Sequence, residues 1–276
     1  MTLTDRNIIF KAGIVFCSVC TFLVLGISFS IIPVYSTFGE NNHRPDDIFQ
    51  VIASYFTNIN YYAVHASISA AVLYSLCSII LIHFYFEQTK AAEILYIAIF
   101  TASFSVEALK LVLPLQILYN FHPVYLLITS RILLFGRHFG LFSLFAASIC
   151  AAGLETEKSR SIILIIAVAA MAVTFSIPID VQTWDTSLNI TIGFTNMFRL
   201  IEIVAVLTTV LNFFIAINIQ GSSDYVYIGL GALLALFGRN MLLSADNWVT
   251  PCLGIVLLIT GTWFICDKLH NINLWL

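Results

Sequence analysis

The chain has 276 residues, a net charge of −3, 60% hydrophobic residues and only 10% charged ones. Soluble domains carry about 25% charged residues, so the composition excludes a water-exposed globule. The small net charge, with no basic run anywhere, gives no argument for a nucleic-acid partner and none is expected, and no hydrophilic stretch reaches the roughly 50 residues of an added domain.

Residues 1–276 therefore read as a single transmembrane helical domain with no soluble domain, its first partner the lipid bilayer. Eight apolar runs are long enough to cross it, at 12–35, 62–86, 92–113, 124–152, 161–178, 197–218, 225–244 and 249–266. They predict an all-α, polytopic integral membrane bundle. The run at 249–266 is the shortest, and a seven-helix reading follows if the last two runs are miscounted.

The first run follows a positively charged start but is longer than the ~7–15 apolar residues of a signal peptide. It also lacks a small-x-small cleavage site, so it reads as a retained signal anchor. Cys17 and Cys20 form a CxxC inside it. A zinc or redox site would need a second ligand pair at suitable spacing, which the sequence lacks, so both read as small apolar packing residues. After this run, DDIFQVIASYF (46–56) has the acidic start and period of a short surface helix.

The fourth run is long and begins at an interfacial turn, His122-Pro123. Between the fifth and sixth lies DVQTWDTSLNITIGFTN, where Trp184 reads as an interfacial anchor and Asn189-Ile190-Thr191 matches a glycosylation acceptor. Arg6, Lys11, Lys90, Lys158, Arg160 and Lys268 fall on one side of this arrangement, and only Arg44 on the other. The positive-inside pattern then puts both termini in the cytoplasm, in an inner or plasma membrane. Leu134-Phe135-Gly136-Arg137 recurs as Leu236-Phe237-Gly238-Arg239, three spans later and in an oppositely directed helix, as a three-helix inverted repeat would give.

The chemistry is in charges within the apolar runs. Glu107 and Lys110 are three residues apart, as are Arg199 and Glu202, so each pair shares a helix face. Arg131 and His138 face together, Arg137 projects beside them, and Arg239 with Asn240 lies in the seventh run. The topology brings all of them to the outer half of the bundle. Counted together the cations exceed the carboxylates by three, and arginine cannot shed its proton when buried. Water, the carbonyl ends of helices or an anion must compensate. The expectation is a cationic cavity recognising a small anion or lipid headgroup, with arginines as bidentate clamps. The protein would serve as a sensor or receptor subunit, signalling to a membrane or cytoplasmic partner that contacts short loops or the tail DKLHNINLWL. A secondary transporter of a small anionic solute and a structural subunit of a membrane complex are the alternatives.

Enzymatic signatures are weak. There is no HExxH, G-x-S-x-G or glycine-rich phosphate loop, and Ser148 and Cys150 lack a local base. His65 with His83, and His122 with His138, pair along two helices as in bis-histidine heme ligation. Their separations of about 27 and 24 Å and differing helical phases fit two hemes poorly, so no cofactor is expected.

Overall fold

A computed structural model describes residues 3–35, 56–87, 89, 91–153 and 159–274 of the chain. The helices are α1 (Leu3–Tyr35), α2 (Tyr61–Tyr85), α3 (Ala92–Ser103), α4 (Val112–Tyr119), α5 (Pro123–Ala151), α6 (Ser159–Ser176), α7 (Thr195–Gln220), α8 (Asp224–Leu243) and α9 (Val249–Leu274). A 3₁₀ segment, Phe104–Leu111, joins α3 to α4 into one apolar passage, and a hairpin of β1 (Ile179–Trp184) and β2 (Ile190–Ile192) links α6 to α7. Large side chains such as Phe22, Phe29, Ile165, Leu211 and Trp263 are exposed around the outside, as a lipid-facing surface requires. Among the described residues, seven helices are long and apolar enough to cross a membrane, and a further apolar helix, Ser161–Ser176, is shorter.

The passages alternate in direction. At one end the Arg6 guanidinium of α1 donates to the carbonyls of Phe86, Glu87 and Thr89, and His270 of α9 packs edge-on against Phe86. At the other, the backbone N–H of Asn60 donates to Asp246 and that of Trp248 to Phe56, beside the hairpin. These are called the termini end and the hairpin end.

Several elements differ from the sequence reading. The last helix is not the shortest: α9 continues eight residues beyond 266 because Lys268 is held within it by Asp224 at 3.5 Å and by the Tyr227 ring at 5.1 Å. The shortest apolar helix is α6. The third passage extends past 113 to Tyr119 but is broken midway. The cause is local. Pro114 has no N–H to bond the Lys110 carbonyl, and Thr101, Ser103 and Ser105 each turn a hydroxyl back on a carbonyl three residues earlier. His122 caps α5 by accepting from the Val124 N–H at 3.3 Å, with Pro123 at the first helical position. The segment 179–192, read as loop, forms the hairpin. The surface helix expected at 46–56 falls almost wholly outside the described residues.

The tightest helix pair is α8 with α9. A Cβ added at Gly231 would stand 2.8 Å from the Gly261 carbonyl oxygen, and one at Gly238 would stand 2.6 Å from that of Gly254. Glycines seven apart on two antiparallel helices thus form a backbone-to-backbone seam, the close approach that small residues give membrane helices. By contrast α1 packs mainly against α2, where Cys17 lies 3.3 Å from the Ser75 hydroxyl and Ser28 lies 2.8 Å from His65. Cys17 and Cys20 serve there as packing residues, both free thiols.

Candidate functional site

The polar site lies at the hairpin end, where the broken passage, α5, α8 and the hairpin meet. The 3₁₀ segment carries Glu107 and Lys110, both almost fully buried. Helix α5 reaches this segment closely because Gly136 and Gly140 offer no side chain. A Cβ at Gly136 would stand 3.0 Å from Val106, and one at Gly140 would overlap Ser103. That approach sets Arg137 against Glu107 in a bidentate pair, Nε to Oε1 at 2.7 Å and Nη2 to Oε2 at 2.8 Å. Lys110 Nζ lies 3.2 Å from Glu107 Oε2 and donates to the carbonyl of Leu243, the last residue of α8, at 2.8 Å.

The hairpin closes the site from outside. Asn189 accepts from Arg137 Nη2 at 2.7 Å, while its own Nδ2 donates to Ser187 at 2.7 Å and to Leu243 O at 3.4 Å. The amide of the Asn189-Ile190-Thr191 triplet is therefore turned inward with both ends in use, not presented as a glycan acceptor would be. Arg239 extends the network from α8, donating to the Arg137 carbonyl and to Asn240 Oδ1, both at 3.1 Å, with Glu202 of α7 at 4.0 Å. His138 shares a hydrogen bond through Nδ1 with the Leu134 carbonyl at 2.8 Å. A carbonyl only accepts, so Nδ1 carries the proton.

Two predicted members stand apart. Arg131 reaches away from the cluster to the carbonyls of Thr174 and Ile177 at the end of α6, with Phe175 beneath its guanidinium at 5.8 Å. Arg199 is exposed on α7. The convergence of all five cations is thus corrected to three, Lys110, Arg137 and Arg239, facing Glu107 inside and the half-exposed Glu202 at the rim. Helix carbonyl ends hold Arg131 and help hold Lys110, where the partial negative charge of a helix C-terminus is concentrated. One net positive charge remains in the network. Asn189, Ser187 and the Leu243 carbonyl had no signature in the sequence, because each is defined by where the hairpin folds back.

Beneath the hairpin, Lys110, Arg137, Ser130, Leu133, Leu188 and Asn189 help bound a cavity of about 30 Å³. At roughly 10–15 Å³ per water it accommodates about two waters, or a halide-sized ion. Glu107 and Asn189 engage Nε and Nη2 of Arg137, leaving Nη1 without a partner among the described residues. Lys110 likewise keeps one of its three N–H donors after Glu107 and Leu243 are served.

Ser148 accepts from Asn212 Nδ2 at 3.2 Å, and Cys150 is a free buried thiol. Among the described residues, no three His, Cys, Asp or Glu side chains cluster as metal ligands would. His65 and His138 are bonded within the bundle, and His122 is a helix cap. No protein-family model, curated protein or solved structure matches this chain.

Proposed function

We propose that this is a multi-pass membrane protein that recognises a small anion or an anionic lipid headgroup at the hairpin end, as a sensor or receptor subunit. In this reading the bundle crosses an inner or plasma membrane eight times. Both termini are cytoplasmic, as the lysine and arginine asymmetry favours, and the hairpin end faces outward. The observation that carries the proposal is the cavity beneath Asn189, bounded by Lys110 and Arg137, whose bonds to Glu107, Asn189 and Leu243 do not use all their donors among the described residues. A halide-sized ion fits the cavity as it stands. A carboxylate or phosphate group requires the hairpin to lift and Asn189 to release Arg137. That movement is the signal a partner subunit would read.

Transport of the same anion is the second reading, favoured by the eight-residue 3₁₀ break that holds two of the charges. Such breaks are longer than the usual 3–4 residues and mark hinges or ion sites in membrane helices.

Thermal unfolding in nanodiscs at constant ionic strength tests recognition. Chloride, nitrate and formate, exchanged against bulky gluconate, should raise the wild-type Tm saturably, as a ligand bound only to the folded state does. The charge-neutral pair Glu107→Gln with Arg137→Gln should lose that response. Equal responses in both proteins, or none in either, would sink the proposal. Anion flux into proteoliposomes separates transport from sensing.

A further inference from the structure

A second cavity lies away from these charges, between α2 and α9. Its volume is about 430 Å³, within the 300–1,000 Å³ of ligand sites in general. Leu73, Leu81, Ile259 and Trp263 at its mouth are each about half exposed on the outside of the bundle. The medium at that mouth is the bilayer's hydrocarbon, so whatever enters comes from the membrane.

The groove is not uniformly apolar. Tyr74 lines it near the middle of α2, with its side chain 5% exposed and its hydroxyl buried, and among the described residues that hydroxyl makes no well-formed hydrogen bond, only looser approaches to the Ser78 and Thr262 hydroxyls. Ser78 of α2 and Thr262 of α9 flank it, and Thr262 turns its own proton back to the carbonyls of Leu258 and Ile259. Towards the termini end, His270 also lines the groove, with Nδ1 buried and without a partner among the described residues and its ring edge-on to Tyr85 and Phe86, both at 5.7 Å. Eleven residues separate the levels of Tyr74 and Tyr85, about 16 Å along the helix.

A donor left unsatisfied in hydrocarbon is costly, and water does not reach it there. Phospholipid chains carry no polar atom below their ester carbonyls, so an ordinary acyl chain would leave the Tyr74 hydroxyl unpaired. We infer that the α2–α9 groove binds a neutral membrane lipid that carries an oxygen acceptor into the hydrocarbon region, with that oxygen bonded to Tyr74 and the apolar body running towards His270. A quinone ring and a long-chain alcohol or sterol-type hydroxyl share this chemistry.

Trp263 in the wall supplies the readout. In phospholipid nanodiscs, decyl-benzoquinone and a bromine-labelled long-chain alcohol would each be titrated while tryptophan fluorescence is followed. The expected result is saturable quenching by one of the two, which identifies the source. The saturable component should disappear in Trp263→Phe, and Tyr74→Phe should bind roughly tenfold more weakly, the loss of about one buried hydrogen bond. Without added probe, Tyr74→Phe should unfold no more readily than the wild type, because it removes only an unbonded oxygen. Quenching that rises linearly with probe, or is identical in Tyr74→Phe and wild type, would show that only bulk lipid fills the groove and overturn the inference.

Discussion

Glu107 is the residue on which the polar site turns. It is the only fully enclosed carboxylate of the network and receives both Arg137 and Lys110. Removing one member of a buried pair strands the other, which commonly costs 3–5 kcal/mol, whereas replacing both is far milder. Arg137→Gln and Glu107→Gln should each destabilise the bundle by about 3 kcal/mol, and the double variant by clearly less than their sum. Reversible unfolding in mixed micelles measures this, and additive losses would mean the pair is not coupled. Asp180 presents the opposite case, a fully exposed carboxylate at the start of the hairpin. It accepts from the Gln182 backbone N–H at 3.0 Å and the Thr183 hydroxyl at 2.9 Å, and the backbone bond foremost holds its pKa below the ordinary value. A lowered carboxyl pKa contributes stability above the ordinary value, which is lost as pH falls through the shifted one. The protection factor of the Gln182 amide, its exchange rate relative to the free amide at the same pH, should therefore hold from neutrality to about pH 4 and fall below it. An Asp180→Asn chain should lack that acid step.

At the level of elements, the membrane passages were legible in the sequence because hydrophobic length alone specifies them. The breaks and partners within them were less so. The apolar run over 92–113 gives no hydropathy signal of its 3₁₀ segment, although Thr101, Ser103, Ser105 and Pro114 carry the cause in plain view. The hairpin was hidden because Gln182 to Trp184 look like loop, and its role depends on where Asn189 lands. The α8–α9 seam left a trace, glycines at 231 and 238 and again at 254 and 261, that only the antiparallel pairing explains. The Leu-Phe-Gly-Arg echo acquires a different sense in the fold. Gly136 and Gly238 each admit a close neighbour, and Arg239 bonds the backbone of Arg137. Gly238→Val should separate α8 from α9, since its Cβ alone would come within 2.6 Å of backbone atoms on the partner helix. Overpacking of this kind costs about 1–3 kcal/mol or more. A Tm fall of several degrees is expected, and a Gly26→Val chain, altered where nothing lies within 4 Å, should show much less.

For the molecule as a whole, the two ends have different characters. The termini end is fastened by Arg6 on the carbonyls around Phe86 and by Lys268 with Asp224, while the hairpin end holds the mutually dependent charges. The spacing of Glu107 and Lys110 then bears on how the chain is made. Synthesis runs from the N-terminus, so the third passage leaves the ribosome before Arg137, and well before the Leu243 carbonyl that finally receives Lys110. In the finished fold the two charges stand 3.2 Å apart on one short segment, so the passage carries its own counter-charge and approaches neutrality by itself. Arg137 then joins a pair that persists in the finished site instead of rescuing a bare charge. An internal pair of this kind would serve the making of the chain as well as the finished site.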